Sequence, residues 1–177
     1  VLSLTLVACA SMGDGSKAEQ QKEILTMKDT VLNQLFANKP DTRSQINSAA
    51  GYAVFSNANI NLIFMAAGTG YGVVKSNISA KYTYMNMAEG VIGLGLGVKD
   101  YRIVMVFHTA QAMNDFVNQG WSFGGNVDAA AKAGNKGGSV EGEMYYGDVT
   151  VYTFTESGLT LQATMKGTKF WQNSKLN

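Results

Sequence analysis

From Ala18 to Phe36 the apolar residues Ile24, Leu25, Val31, Leu32, Leu35 and Phe36 recur at helical spacing, while Lys22, Glu23, Lys28 and Asp29 fall mostly elsewhere on the wheel. That pattern predicts an amphipathic helix. The helix has to stop before Lys39-Pro40, because a residue preceding proline is pushed out of the α region. Asp41 or Thr42 then caps a shorter helix through Ala50, which Gly51 closes. After Gly51 the period changes from 3.6 to 2. Ile78, Ala80, Tyr82 and Tyr84 alternate with polar residues, as do Leu159, Leu161, Ala163 and Met165, and such alternation marks half-buried strands. Tyr52–Phe55, Ile60–Phe64 and Ile103–Phe107 are denser apolar runs, and Val149–Thr155 is rich in β-branched and aromatic residues. One further helix is expected from Thr109, a fitting N-cap, through Met113, Phe116 and Val117 to Gly120. Most connections between strands are too short for a crossover helix, so pairing should be antiparallel. The expected class is α+β: a largely antiparallel, strongly curved or barrel-like sheet with an N-terminal amphipathic helix and one internal helix.

The length of 177 residues suits one domain. Hydrophobic residues make up 46% and charged residues 15%, so the chain has material for a core and is not of the disordered type. A net charge of +1 supplies no field to attract nucleic acid, so nucleic acid is not an expected partner. One cysteine and one histidine argue against a disulfide framework, a Cys-rich zinc site or a His-ligated metal centre, and no metal or cofactor is expected. Eighteen of the 20 glycines lie between Gly51 and Gly167. In the run Gly90–Gly97, Gly93, Gly95 and Gly97 fall at alternate positions and leave a strand face nearly bare, which suits close packing by another element or, alternatively, an acyl chain in a glycine-floored groove. Neither this stretch nor Gly68–Gly72 opens a helix as a nucleotide-binding loop must.

Residues Val1–Ala8 are uncharged, mostly apolar and too few to span a bilayer. They read as the end of a secretory signal, residues 1–8 of the organisation. Leu6-Val7-Ala8-Cys9 resembles the lipobox of bacterial lipoproteins, in which the cysteine thiol is acylated and becomes the new N-terminus. The alternative is an ordinary cleavage site at which Cys9 is discarded. With two or three acyl chains on Cys9 the protein would be stably anchored. Residues 9–17 would then be the lipidated cysteine and a small, polar tether, and residues 18–177 the single domain. By the same resemblance Ala10 after the cysteine implies the outer membrane, facing the periplasm.

Little enzymatic chemistry is expected. His108 could serve a hydrolase with Asp115 or Asp128 orienting it and Ser122 as nucleophile, but no G-x-S-x-G accompanies it. A structural, hydrogen-bonded histidine is the expectation. Glu141 and Glu143 share a strand face and are expected to be solvated. Lys132 and Lys136 stand among Gly134, Gly137 and Gly138, where backbone N–H groups could form an anion nest for a lipid phosphate. These two lysines are the lipid-binding candidates, and a plain turn is the alternative.

Several segments then resemble, in order, the SYLF domain, also known as the Ysc84-type lipid-binding or actin-binding domain. They are Ala50–Phe55, the glycine-alternating Gly90–Gly97, Ile103–Phe107 running into Met113, Asn114 and Phe116, Trp121–Val127, and Val151–Thr155 followed by Gly158-Leu159. Ser56 stands where the family commonly has proline, and Thr160 where it has phenylalanine. The resemblance implies binding of membrane lipid or a membrane surface without a known reaction, with an envelope protein as a further partner. Actin is not expected behind a bacterial export signal, and the mixed-charge first helix does not reproduce the basic segment through which eukaryotic members contact phosphoinositides. The expectation is a non-catalytic envelope lipoprotein anchored through Cys9. The rivals are a transmembrane or periplasmic β-barrel, suggested by the alternating strands, and a hydrolase dependent on His108.

Overall fold

A computed structural model of the chain describes residues 15–57, 69–88, 101–122, 139–140, 143–155, 158–159 and 168–177. Helix α1 is Lys17–Asn38. Its start is a capping box: Ser16 Oγ accepts from Glu19 N–H, and the Glu19 carboxylate accepts from Ser16 N–H at 2.8 Å. It ends where Pro40 requires. Helix α2 covers Thr42–Ser48, with Asp41 at the N-cap position but making no side-chain cap bond. Instead the Thr42 hydroxyl donates to the carbonyl of Lys39 at 2.6 Å. Gly51 does not close this helix; it opens strand β1 (Gly51–Ser56). A Cβ there would collide with Met113 Sδ and the backbone of Lys75, so this glycine serves close approach between elements.

The remaining elements are β2 (Thr69–Ser76), β3 (Tyr82–Ala88), β4 (Tyr101–Phe107), α3 (Ala110–Gln119), β5 (Trp121–Ser122), β6 (Ser139–Val140), β7 (Glu143–Tyr146), β8 (Val149–Thr155), β9 (Gly158–Leu159) and β10 (Lys169–Gln172). All pairings among the described residues are antiparallel. The strand order is β5-β10-β3-β2-β1-β4-β8-β7-β6, with β9 also on β8. The fold is thus α+β, built on a curled, half-barrel antiparallel sheet. Trp121, on the first strand of that order, touches Tyr146, on the last strand but one, with ring centroids 6.5 Å apart. Curling of the sheet is what brings them together.

The strand expected from Ile78 begins later, at Tyr82. Asn77 to Ala80 form the β2–β3 turn, where Ala80 takes φ 58° and Ile78 is 70% exposed. Asn77 fixes this turn by donating from Nδ2 to the carbonyls of Ile46 and Ala49, at 2.8 and 3.0 Å. Of the other expected strands, Ile60–Phe64, Gly90–Gly97 and most of Leu159–Met165 lie outside the described residues.

The other two dense apolar runs, Tyr52–Phe55 and Ile103–Phe107, lie in the central strands β1 and β4, buried on both faces. On one face Tyr52, Val54, Val104, Val106, Tyr152 and Phe154 pack against Ile24, Met27, Val31 and Leu35 of α1. On the other, Phe55, Met85, Met87, Met105, Phe107 and Val151 pack against Met113 and Phe116 of α3. The α1 helix therefore covers one face of the central strands and α3 packs on the other. No helix among the described residues is long and apolar enough to cross a membrane.

Candidate functional site

Polar and titratable side chains gather in two places, a seam along α1 and a cleft at the start of α3. In the seam, Lys39 follows the last residue of α1 and its ammonium pairs with Glu143 of β7, while the Tyr145 hydroxyl donates to the other carboxylate oxygen. Glu143 is 5% exposed, so the expected solvated position is instead a buried ion pair. Glu141 lies outside the described residues. Next to the pair, the Tyr152 hydroxyl donates to Gln45 Oε1 at 2.6 Å. Burial pushes the Tyr152 phenol up to about 12, Tyr145 and Asp41 add to the effect, and the Gln45 bond opposes it. Tyr71 is likewise raised to about 12 by burial and by Glu23, against Arg102. Lys28 was placed on the polar side of the helical wheel, yet it is buried. Burial lowers its pKa, but a 2.7 Å contact with Asp29 and the neighbouring Tyr52 and Tyr82 outweigh that and leave it raised. Its ammonium lies 5.6 Å from the centre of the Tyr82 ring.

The cleft has a volume of about 340 Å³ and is formed by three chain segments. The start of α3 supplies Thr109, Gln111 and Asp115; β5 supplies Trp121; and the β7–β8 turn supplies Tyr146 and Asp148. Thr109 is the expected N-cap, accepting from Ala112 N–H at 3.2 Å, and Gly120 ends the helix at φ 68°. That glycine lets the chain reverse directly into Trp121. The opposite wall is a two-residue hairpin turn, with Tyr146 and Val149 paired across it and Gly147 at φ 56°, a first central position that favours glycine. The turn docks on the helix start: His108 N–H donates to the Asp148 carbonyl at 2.8 Å, and Thr109 Oγ1 lies 3.5 Å from Asp148 Oδ2.

His108 is exposed, and its Nε2 lies 2.7 Å from the hydroxyl of Thr150, a strand residue and not a carboxylate. Asp115 lines the cleft, Asp128 lies outside the described residues, and Ser122 is in β5. Cys9, Lys132 and Lys136 all lie outside the described residues. The sequence pattern points to Asp115 only as a partner for His108 and to Trp121 only as part of a family segment, and it does not single out Tyr146 or Asp148. Tyr146-Gly147-Asp148 between two β-type runs was a readable hairpin signal, but nothing local pairs it with Trp121.

Comparison with known proteins places this architecture. Residues 88–177 match the Ysc84 family model, described as Las17-binding protein actin regulator. The chain is also 32% identical over 161 residues to Beta cell expansion factor A of Aeromonas veronii, an alignment covering 89% of this chain and 59% of that protein. The chain thus spans about three-fifths of its relative's length. It belongs to the Ysc84 or SYLF family, a lipid-binding and generally non-enzymatic family. The family match opens at the last residue of β3, so Ala50–Phe55 lies ahead of it.

Proposed function

We propose that the protein is a non-catalytic lipoprotein of the bacterial cell envelope, acylated at Cys9, whose SYLF domain engages lipid at the membrane surface. Membership in a lipid-binding family carries the reading. Leu6-Val7-Ala8-Cys9 adds the anchor, and the short polar stretch up to the Ser16 cap adds a tether that ends where α1 begins. The membrane in this reading is the outer one, with the domain in the periplasm and an envelope protein as a further partner. Lys132 and Lys136, among glycines, are the proposed seat of a lipid phosphate.

Two measurements on the full chain test this. Labelled palmitate should enter the wild type and not Cys9→Ser; an unlabelled wild type removes the anchor. The unacylated Cys9→Ser chain should float with vesicles containing anionic phospholipid, and substitution of Lys132 and Lys136 by serine should weaken flotation severalfold. A chain that stays in the pellet fraction with every vesicle composition removes lipid engagement itself.

A further inference from the structure

We propose that the cleft between α3, β5 and the β7–β8 turn binds an organic ammonium group. Two aromatic residues and two acidic residues line one small volume, and no lysine or arginine is among its described lining residues. Trp121 and Tyr146 meet at an interplanar angle of 63°, so their rings form a corner and not a stack. The corner is held on the Trp121 side, because that indole packs at steep angles, 86° and 73°, against Phe116 and Phe107, with centroids at 5.2 and 6.4 Å. A cation resting against such faces is held by the ring quadrupoles, the chemistry by which aromatic cages take quaternary ammonium groups.

The charge balance points the same way. Helix α3 directs about half a positive charge toward its first turn. The Asp148 carboxylate, beside the Thr109 cap, more than cancels it, and Asp115 on the same helix leaves the described walls with an excess of about one and a half negative charges. Its volume of about 340 Å³ is at the lower end of the range for small-ligand sites, which suits a head group. An anionic phosphate finds no cationic side chain among the described walls, so the site is distinct in chemistry from the one proposed at Lys132 and Lys136. The ammonium could be carried by a free small molecule or by a choline or ethanolamine lipid.

Trp121 fluorescence in a full-length Trp171→Phe background reads the site directly, since the chain has two tryptophans. Tetramethylammonium and choline chloride, at ionic strength held constant with NaCl, should give a saturable spectral shift with half-effect on the order of 10 mM. The uncharged carbon isostere of choline, 3,3-dimethylbutan-1-ol, should give none. Asp115→Asn and Asp148→Asn should each weaken the response about threefold, and together about tenfold. Both residues are exposed, so folding should be retained, and a thermal melt checks it. No saturable response, an equal response to the neutral isostere, or full retention in the double variant overturns the proposal. The source is then read on vesicles: free choline should compete with flotation on phosphatidylcholine if the ammonium is lipid-borne, and should leave flotation unchanged if it is free. Flotation on phosphatidylglycerol with no ammonium response would sink this site and leave lipid engagement standing; the reverse result would do the opposite.

Discussion

The two faces of the sheet solve the same burial problem with different residues. Under α1 the sheet presents Tyr52, Tyr71, Tyr84 and Tyr152, whose rings are buried, with the Lys39–Glu143 pair and buried Lys28 around them. Under α3 it presents phenylalanine and methionine: Phe55, Phe107 and Phe170 with Met85, Met87 and Met105. Hydroxyl and ion-pair bonds are directional, so the first face fixes where a 22-residue helix and its short successor sit. Thioethers and benzene rings are not, so the second face is held by shape and by ring packing. One face specifies a position, and the other supplies bulk burial around a single aromatic hub.

That hub is Phe116, fully buried and in ring contact with Phe55, Phe107, Trp121 and Phe170. Phe116→Ala should have the largest effect, about 3–5 kcal/mol lost in urea unfolding, from transfer of the ring and the cavity left among four aromatics. Met105→Leu on the same face conserves volume and should cost less than about 1.5 kcal/mol. A small loss for Phe116→Ala would mean that the methionines collapse into the gap and that the α3 face has no fixed centre.

On the α1 face the sharper test is the Lys39–Glu143 pair. Lys39→Met leaves a carboxylate that is 5% exposed without its cation, although the Tyr145 hydroxyl still donates to it. About 2–3 kcal/mol should be lost, below the range for fully enclosed pairs because the lysine side chain keeps 24% exposure. Adding Glu143→Leu should recover most of that, since an apolar pair avoids the cost of burying charge. If the double variant is as unstable as the single one, the pair contributes net attraction and not only specificity.

The same contrast explains what was legible in the sequence. Helical spacing from Ile24 to Phe36, the proline stop and the Thr109 cap mark all of α1 and α3, because local backbone rules decide them. The two-sided burial of β1 and β4 was legible as runs without polar alternation. Gly51, Ile78 and Glu143 were misread for one reason: each is decided by a partner distant in sequence. Gly51 abuts Met113, the turn around Ile78 is held by the end of α2, and Glu143 meets Lys39. The cleft was illegible in the same way, since its walls come from three segments that only curling of the sheet brings together.

The smallest effect concerns the tyrosines. In the unfolded chain a phenol titrates near its ordinary value of about 10, whereas in the folded protein Tyr71 and Tyr152 hold their protons to about 12. Above pH 10 the unfolded state releases protons that the folded state keeps, so stability falls with rising pH through that window and levels off above 12. Below pH 10 the contribution is fully present. Tyr152→Phe should cost about 1 kcal/mol at neutral pH, the net worth of the bond to Gln45, and Tyr71→Phe removes the second raised phenol. With both replaced, urea midpoints measured from pH 9 to 12 should decline less steeply than in the wild type. The Phe116→Ala variant should keep the wild-type slope, because the face it damages has none of these raised phenols. An unchanged slope in the double tyrosine variant would mean that the hydroxyls of Tyr71 and Tyr152 do not set the alkaline limit of the α1 face.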